Sequence, residues 1–150
     1  MKLYLPNLIK GDKMDARAFL IQAEKYDAIL RHKEEEYKYW QEYAVNISPN
    51  LDGTKVQTSW ISDKIGRAVA EKEKIELEII ETINKAMRKR VEIIDTIEQL
   101  PVAEYDMLYK VYLQGMTVQE AAFQMEKSYR WATGTHTRAL KNLQTILDNK

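Results

Sequence analysis

Cationic and hydroxyl side chains gather near the C-terminus: Lys127, Ser128, Arg130, Thr133, Thr137, Arg138 and Lys141. From Glu126 to Lys150 five basic residues (Lys127, Arg130, Arg138, Lys141 and Lys150) outnumber two acidic ones (Glu126 and Asp148), a local excess of three positive charges. The chain as a whole carries 23 basic and 23 acidic residues, so only this end argues for a polyanion. A guanidinium is a planar fork of donors that engages two acceptors at once, while ammonium and hydroxyl groups add a point charge or a single hydrogen bond. Other chemistries have less to work with. There is no His-Glu-x-x-His, no Gly-rich phosphate loop and no serine in a nucleophile elbow. Glu34, Glu35 and Glu36 would project about 100° apart on a helix, so they form a solvated face and not an acid–base pair. His32 and His136 are far apart in sequence and cysteine is absent, so we expect no metal site, no cofactor and no catalysis.

The elements that must hold these residues are helices. In 150 residues there are five Gly and three Pro, too few for the frequent turns of a β protein. Glu, Lys, Ala, Leu and Ile fill long uninterrupted stretches, and 45 % hydrophobic content is enough for a core. The fold class expected is all-α. Met1-Lys2-Leu3-Tyr4-Leu5-Pro6 lacks the apolar block of a secretory signal, and the apolar runs are too short to span a membrane. A cytoplasmic protein without disulfides is expected.

Asp15 can cap a first long helix with apolar positions at Ala16, Phe19, Ala23, Tyr26, Leu30, Tyr37, Trp40 and Ala44, spaced three and four apart with Lys33 in the one missing slot. Asn46 to Asp63 collects Pro49, Asn50, Asp52, Gly53, Ser and Thr, a connecting loop. Ser62 or Asp63 can cap a second long helix whose Ile65, Val69, Ile80, Ile83, Met87, Val91, Ile94 and Ile97 share a face, interrupted by Glu71-Lys72-Glu73-Lys74. Residues 1–99 therefore read as a long antiparallel helical hairpin. Two such stripes are hard for one hairpin to cover, so a homo-oligomer, most simply a dimer, is expected through it.

Residues 100–150 read as a second domain. Leu100-Pro101 ends the long helix. Val102 to Leu113 carries Tyr105, Leu108 and Tyr112 at helical spacing; Gly115 suits a left-handed cap, and Thr117 with Glu120 forms a capping box. A short helix follows with Val118, Ala121, Ala122 and Met125; Glu126-Lys127 turns the chain, and Ser128 caps a third helix running to about Leu147. Short helix, turn, short helix, turn and longer helix is the layout in which the last element can lie in the major groove of DNA.

Leu100-Pro101, Leu108, Tyr112, Gly115-Met116-Thr117, Glu120, Ala122, Met125, Ser128, Arg138-Ala139-Leu140 and Leu143 stand in a gapless register that resembles region four of bacterial sigma factors. The pattern differs at Ala121 (usually Ile), Glu126 (usually the turn Gly), Ala132 (usually Val), Lys110-Val111 (usually Leu-Arg) and Gly134, inside the third helix. Together with the upstream helices and the loop Gly53 to Ser59, the run Ser-x-x-Trp-x-x-x-His-x-Arg-Ala-Leu from Ser128 to Leu140 resembles phage late-transcription regulators of the RinA- and ArpU-like group. The resemblance implies a sigma region-four-like helix-turn-helix that binds double-stranded DNA, host RNA polymerase as a partner, and activation of packaging and assembly genes in the host cytoplasm.

In such a domain the first turns of the third helix face base edges, which makes Tyr129, Arg130, Thr133 and, by close backbone approach, Gly134 the base-reading candidates. Arg130 can pair with guanine O6 and N7, and Thr133 can offer a methyl to thymine. Thr117, Gln119, Ser128, Thr137, Arg138 and Lys141 are the phosphate candidates. Arg138 would also suit an ion pair, Lys141 a solvated surface, and Trp131 and His136 internal packing. The alternative of a different class is a small DNA-packaging or assembly subunit gripping DNA through the same helix-turn-helix.

Overall fold

The computed structural model describes residues 14–47 and 58–150, and among these it is all-helical, without a strand. Five α-helices follow in order: α1 (Ala16–Ile47), α2 (Thr58–Ile97), α3 (Val102–Leu108), α4 (Val118–Gln124) and α5 (Tyr129–Asp148). A single π turn, Tyr109–Leu113, extends α3. Two compact units divide the chain, one comprising the described part of residues 1–23 with Val91–Lys150, the other Glu24–Arg90.

In the first unit the main core joins Phe19, Leu20 and Ala23 of α1, Ile93 and Ile97 of α2, Leu100, Leu108 of α3, and Ala139 and Leu143 of α5. Packing thus runs across Leu100-Pro101, where the sequence divides the chain. Burying a leucine such as Leu143, which has no exposed surface, contributes about 1.5–3 kcal/mol. The π turn sets Tyr109, Tyr112 and Leu113 against this core, while Val111 joins a smaller one formed by Met107, Ala121, Ala122 and Ala132. Burying Glu104 requires a partner for its carboxylate. Asn142 of α5 supplies one, donating from Nδ2 to both oxygens at 3.1 and 2.9 Å.

In the second unit Lys33 of α1 donates to Glu78 of α2 at 2.7 Å, and the Tyr37 hydroxyl donates to Glu76 at 3.0 Å. Lys33 therefore fills the gap in the α1 stripe by pairing, and it holds the Glu78 carboxyl below its ordinary range. The face that α2 buries is not the expected one. Ala68, Ile75 and Thr82 are buried, whereas Val69, Ile80, Ile83 and Met87 are exposed. Counting apolar residues misplaces the face because Lys33 and Tyr37 demand polar partners, which Glu76 and Glu78 provide. Thr82 tolerates burial by donating its hydroxyl to the Glu78 carbonyl at 2.7 Å.

Helix α2 also begins earlier than expected, at Thr58 and not at Ser62 or Asp63. Its first turns hold Lys64 over the Trp60 ring, 3.6 Å from the centroid, a contact that the four-residue spacing of a helix favours. The loop expected around Pro49, Asn50, Asp52 and Gly53 lies outside the described residues.

Candidate nucleic-acid interface

Helix α5 is fixed at its start by Ser128, whose hydroxyl accepts from the Trp131 backbone N–H at 3.1 Å. Such a cap is worth about 1 kcal/mol. The preceding helix α4 is capped by Thr117, whose Oγ1 accepts from Glu120 N–H at 3.1 Å while Glu120 accepts from Thr117 N–H at 3.1 Å. Between the two helices lies a Schellman turn: Glu126 N–H reaches the Phe123 carbonyl at 3.1 Å and Lys127 N–H the Ala122 carbonyl at 2.9 Å. Its geometry requires a left-handed residue, and Glu126 adopts φ 56°. Gly115, at φ 71°, is the left-handed residue of the turn before α4, where Met116 N–H reaches the Lys110 carbonyl at 3.0 Å.

One side of α5 is internal. Ala132, Thr135, Ala139 and Leu143 are buried, with Ala132 packed against α4 residues Ala121 and Ala122. Small side chains there let the helices approach closely. Trp131 is half-buried against the same cluster, with the Lys127 ammonium 5.5 Å from its ring centroid. His136 stacks on Tyr112 at 5.7 Å and 15°, and its Nε2 lies 3.0 Å from the Tyr112 hydroxyl. Burial, with the charge of Arg17, pushes His136 below its ordinary value of 6.5. Burial also raises the Tyr112 phenol, against an opposing pull from Arg17.

The opposite side is open. Tyr129, Arg130, Gly134, Thr137, Arg138 and Lys141 are exposed and Thr133 is half-buried. On a helix of 3.6 residues per turn Arg130, Gly134, Thr137, Arg138 and Lys141 share one face about 16 Å long, with Tyr129 and Thr133 at its flank. Among the described residues neither the Arg130 guanidinium nor the Lys141 ammonium meets a carboxylate. Arg138 is not ion-paired either; its Nη2 donates to the buried Thr135 hydroxyl at 3.2 Å, which holds the side chain in place. The hydroxyl of Thr133 donates to the Arg130 carbonyl at 3.0 Å and that of Thr137 to the Thr133 carbonyl at 2.9 Å. With its proton spent on the helix, Thr133 has its methyl and oxygen lone pairs left to offer.

The phosphate candidates divide by element. Arg138 and Lys141 share the α5 face, and Ser128 stands at its positive end, where the helix dipole favours an anion. Thr117 and Gln119 are exposed on α4, but the Glu120 carboxylate already occupies the Thr117 amide, which makes that helix start a poorer seat for phosphate. Two surface residues escaped the sequence reading. Thr145 continues the Lys141 face one turn on, a position that helical spacing alone would have found. Phe123 of α4 is 86 % exposed; its only signal is that it follows the two alanines that face inward.

Among the described residues no group of three or more His, Asp or Glu is arranged to hold a metal ion, and no helix is long and apolar enough to cross a membrane. Comparison of the chain with protein-family models, with curated proteins and with solved structures finds no match.

Proposed function

We propose that this chain is a sequence-specific transcription regulator of phage type that binds double-stranded DNA, with α4 and α5 forming a sigma region-four-like helix-turn-helix and the start of α5 entering the major groove. The observation that carries the reading is the α5 face: cationic, exposed, unopposed by any carboxylate among the described residues, and backed by a buried face that fixes the helix. Arg130 and Thr133 then read bases, with Tyr129 beside them, Gly134 gives the DNA close access to the backbone, and Ser128, Thr137, Arg138 and Lys141 contact phosphates. The opposed numbering of Lys33–Glu78 and Tyr37–Glu76 supports an antiparallel helical hairpin upstream. Activation of late genes through host RNA polymerase, in the host cytoplasm, rests on the resemblance from Ser128 to Leu140.

Selection of bound fragments from a random duplex pool at fixed salt tests the reading. Arg130→Ala should relax preference at one base position, a loss of about 1–3 kcal/mol on the best site. Lys141→Ala should weaken all sites alike and lower the slope of log affinity against log salt by about one. An unchanged base preference in Arg130→Ala would remove that residue from base reading, and no DNA binding by the parent chain at low salt would remove the function.

A further inference from the structure

Within Glu24–Arg90, helix α2 carries a second apolar face that the described residues of that unit leave uncovered. Ile80, Ile83 and Met87 are 57 %, 41 % and 62 % exposed, with Leu77 beside them at 69 % and Val69 two turns earlier at 42 %. These are large side chains on one stripe and not scattered single residues, which makes the patch an interaction surface. The spacing is that of a coiled-coil seam. Starting at Val69 and stepping alternately four and three, the seam positions are Val69, Glu73, Glu76, Ile80, Ile83, Met87 and Arg90. The stripe is about 32 Å long at 1.5 Å per residue.

The polar members of the stripe decide what covers it. We infer that this face of α2 pairs with the same face of a second copy of the chain, the two helices running antiparallel about a two-fold axis between Glu81 and Thr82. In that register Ile80 faces Ile83 of the other copy at the centre, Glu76 faces Met87, and Glu73 faces Arg90 at each end. The Glu73 carboxylate makes no hydrogen bond or ion pair with any described residue, and in this register the second copy brings a guanidinium to it. A parallel pairing would set Glu73 on Glu73, Glu76 on Glu76 and Arg90 on Arg90, three like-charge contacts on the seam. An isologous two-fold contact needs only a self-complementary patch, which this register provides, and the chain's formal charge of zero sets no long-range repulsion against it.

This pairing is independent of DNA binding, and its test uses the full chain without DNA. Sedimentation equilibrium across a concentration series should give twice the chain mass for the parent. Ile80→Glu should weaken the dimer about a hundredfold or more, since both copies lose an apolar contact at the centre, while circular dichroism keeps the helical signal of the parent. Charge reversal fixes the register: Glu73→Arg and Arg90→Glu should each weaken the dimer, and the double variant should recover it. A parent that stays monomeric over roughly 1–500 µM, or an Ile80→Glu variant that dimerises like the parent, overturns the seam. Tighter dimers from Glu73→Arg alone overturn the antiparallel arrangement.

Discussion

Gly134 stands sixth in the twenty-residue helix α5, where glycine is a poor choice on stability grounds alone. A glycine in a helix interior costs about 1 kcal/mol relative to alanine, through the extra backbone freedom it loses. Such a residue is commonly explained by a neighbouring chain that leaves no room for a side chain, but a Cβ built on Gly134 meets no atom within 4 Å. The packing of the described residues therefore does not require it. Gly134→Ala should stabilise the fold by about 1 kcal/mol, read as a rise of about 3 °C in the melting temperature for a chain of this size. If DNA is what needs the space, the same variant should bind its selected site roughly 5- to 150-fold more weakly, the loss of about 1–3 kcal/mol expected when one close contact is blocked. Thermal melting by circular dichroism and titration of a labelled duplex by fluorescence anisotropy measure the two effects on one sample. A stabilised variant with undiminished affinity would show that the backbone at Gly134 does not approach DNA, and a destabilised one would refute the account of the helix itself.

Glu126→Gly should also stabilise the protein, by about 1 kcal/mol, because the left-handed conformation at φ 56° costs a non-glycine residue about 1–2 kcal/mol, of which the greater freedom of glycine in the unfolded chain takes back part. An unchanged denaturation midpoint would mean that the Glu126 side chain compensates for its backbone. His136 predicts an acid-sensitive fold: its folded-state value lies below the ordinary 6.5, so the stability it contributes is complete above that pH and falls away as acidification proceeds through the lower folded-state value. His136→Gln should flatten the fall in melting temperature on going from neutral to acidic pH, and a parallel fall in both proteins would assign the sensitivity elsewhere.

What was legible in the sequence is what local chemistry settles. The capping box at Thr117 and Glu120, the cap at Ser128, and the turns at Gly115 and Glu126 depend on residues within a few positions of one another, and all stand where the sequence put them. The α1 stripe was also legible, down to the slot at Lys33, since its apolar spacing is unbroken elsewhere. The packed face of α2 was not. There two candidate faces compete on one helix, and the choice lay with the polar groups of α1: the partners of Lys33 and Tyr37 are 45 and 39 residues away, beyond the reach of periodicity. At the candidate interface the exposure of Arg130 and Lys141 follows from helical spacing against Ala132, Ala139 and Leu143, but the Thr135 hydroxyl that holds Arg138, and the Asn142 amide that serves Glu104, required coordinates.

The small residues between α4 and α5 gain physical sense once packing is known. Ala121 and Ala132 both have no exposed surface and lie in the same small cluster. Two small side chains meeting at one contact would leave a void unless larger neighbours filled the space, and voids cost stability in proportion to their size. Here Met107 lies in the cluster, and Val111, Val118, Met125 and Trp131 pack around it, so flexible thioethers and an indole supply bulk that the two alanines do not. These choices are linked: Trp131 spends apolar surface on packing against the cluster that holds Ala132. That leaves the outer face to Arg130, Gly134, Thr137, Arg138 and Lys141, so the cluster that compensates for the alanines also determines which side chains any ligand of this helix can meet.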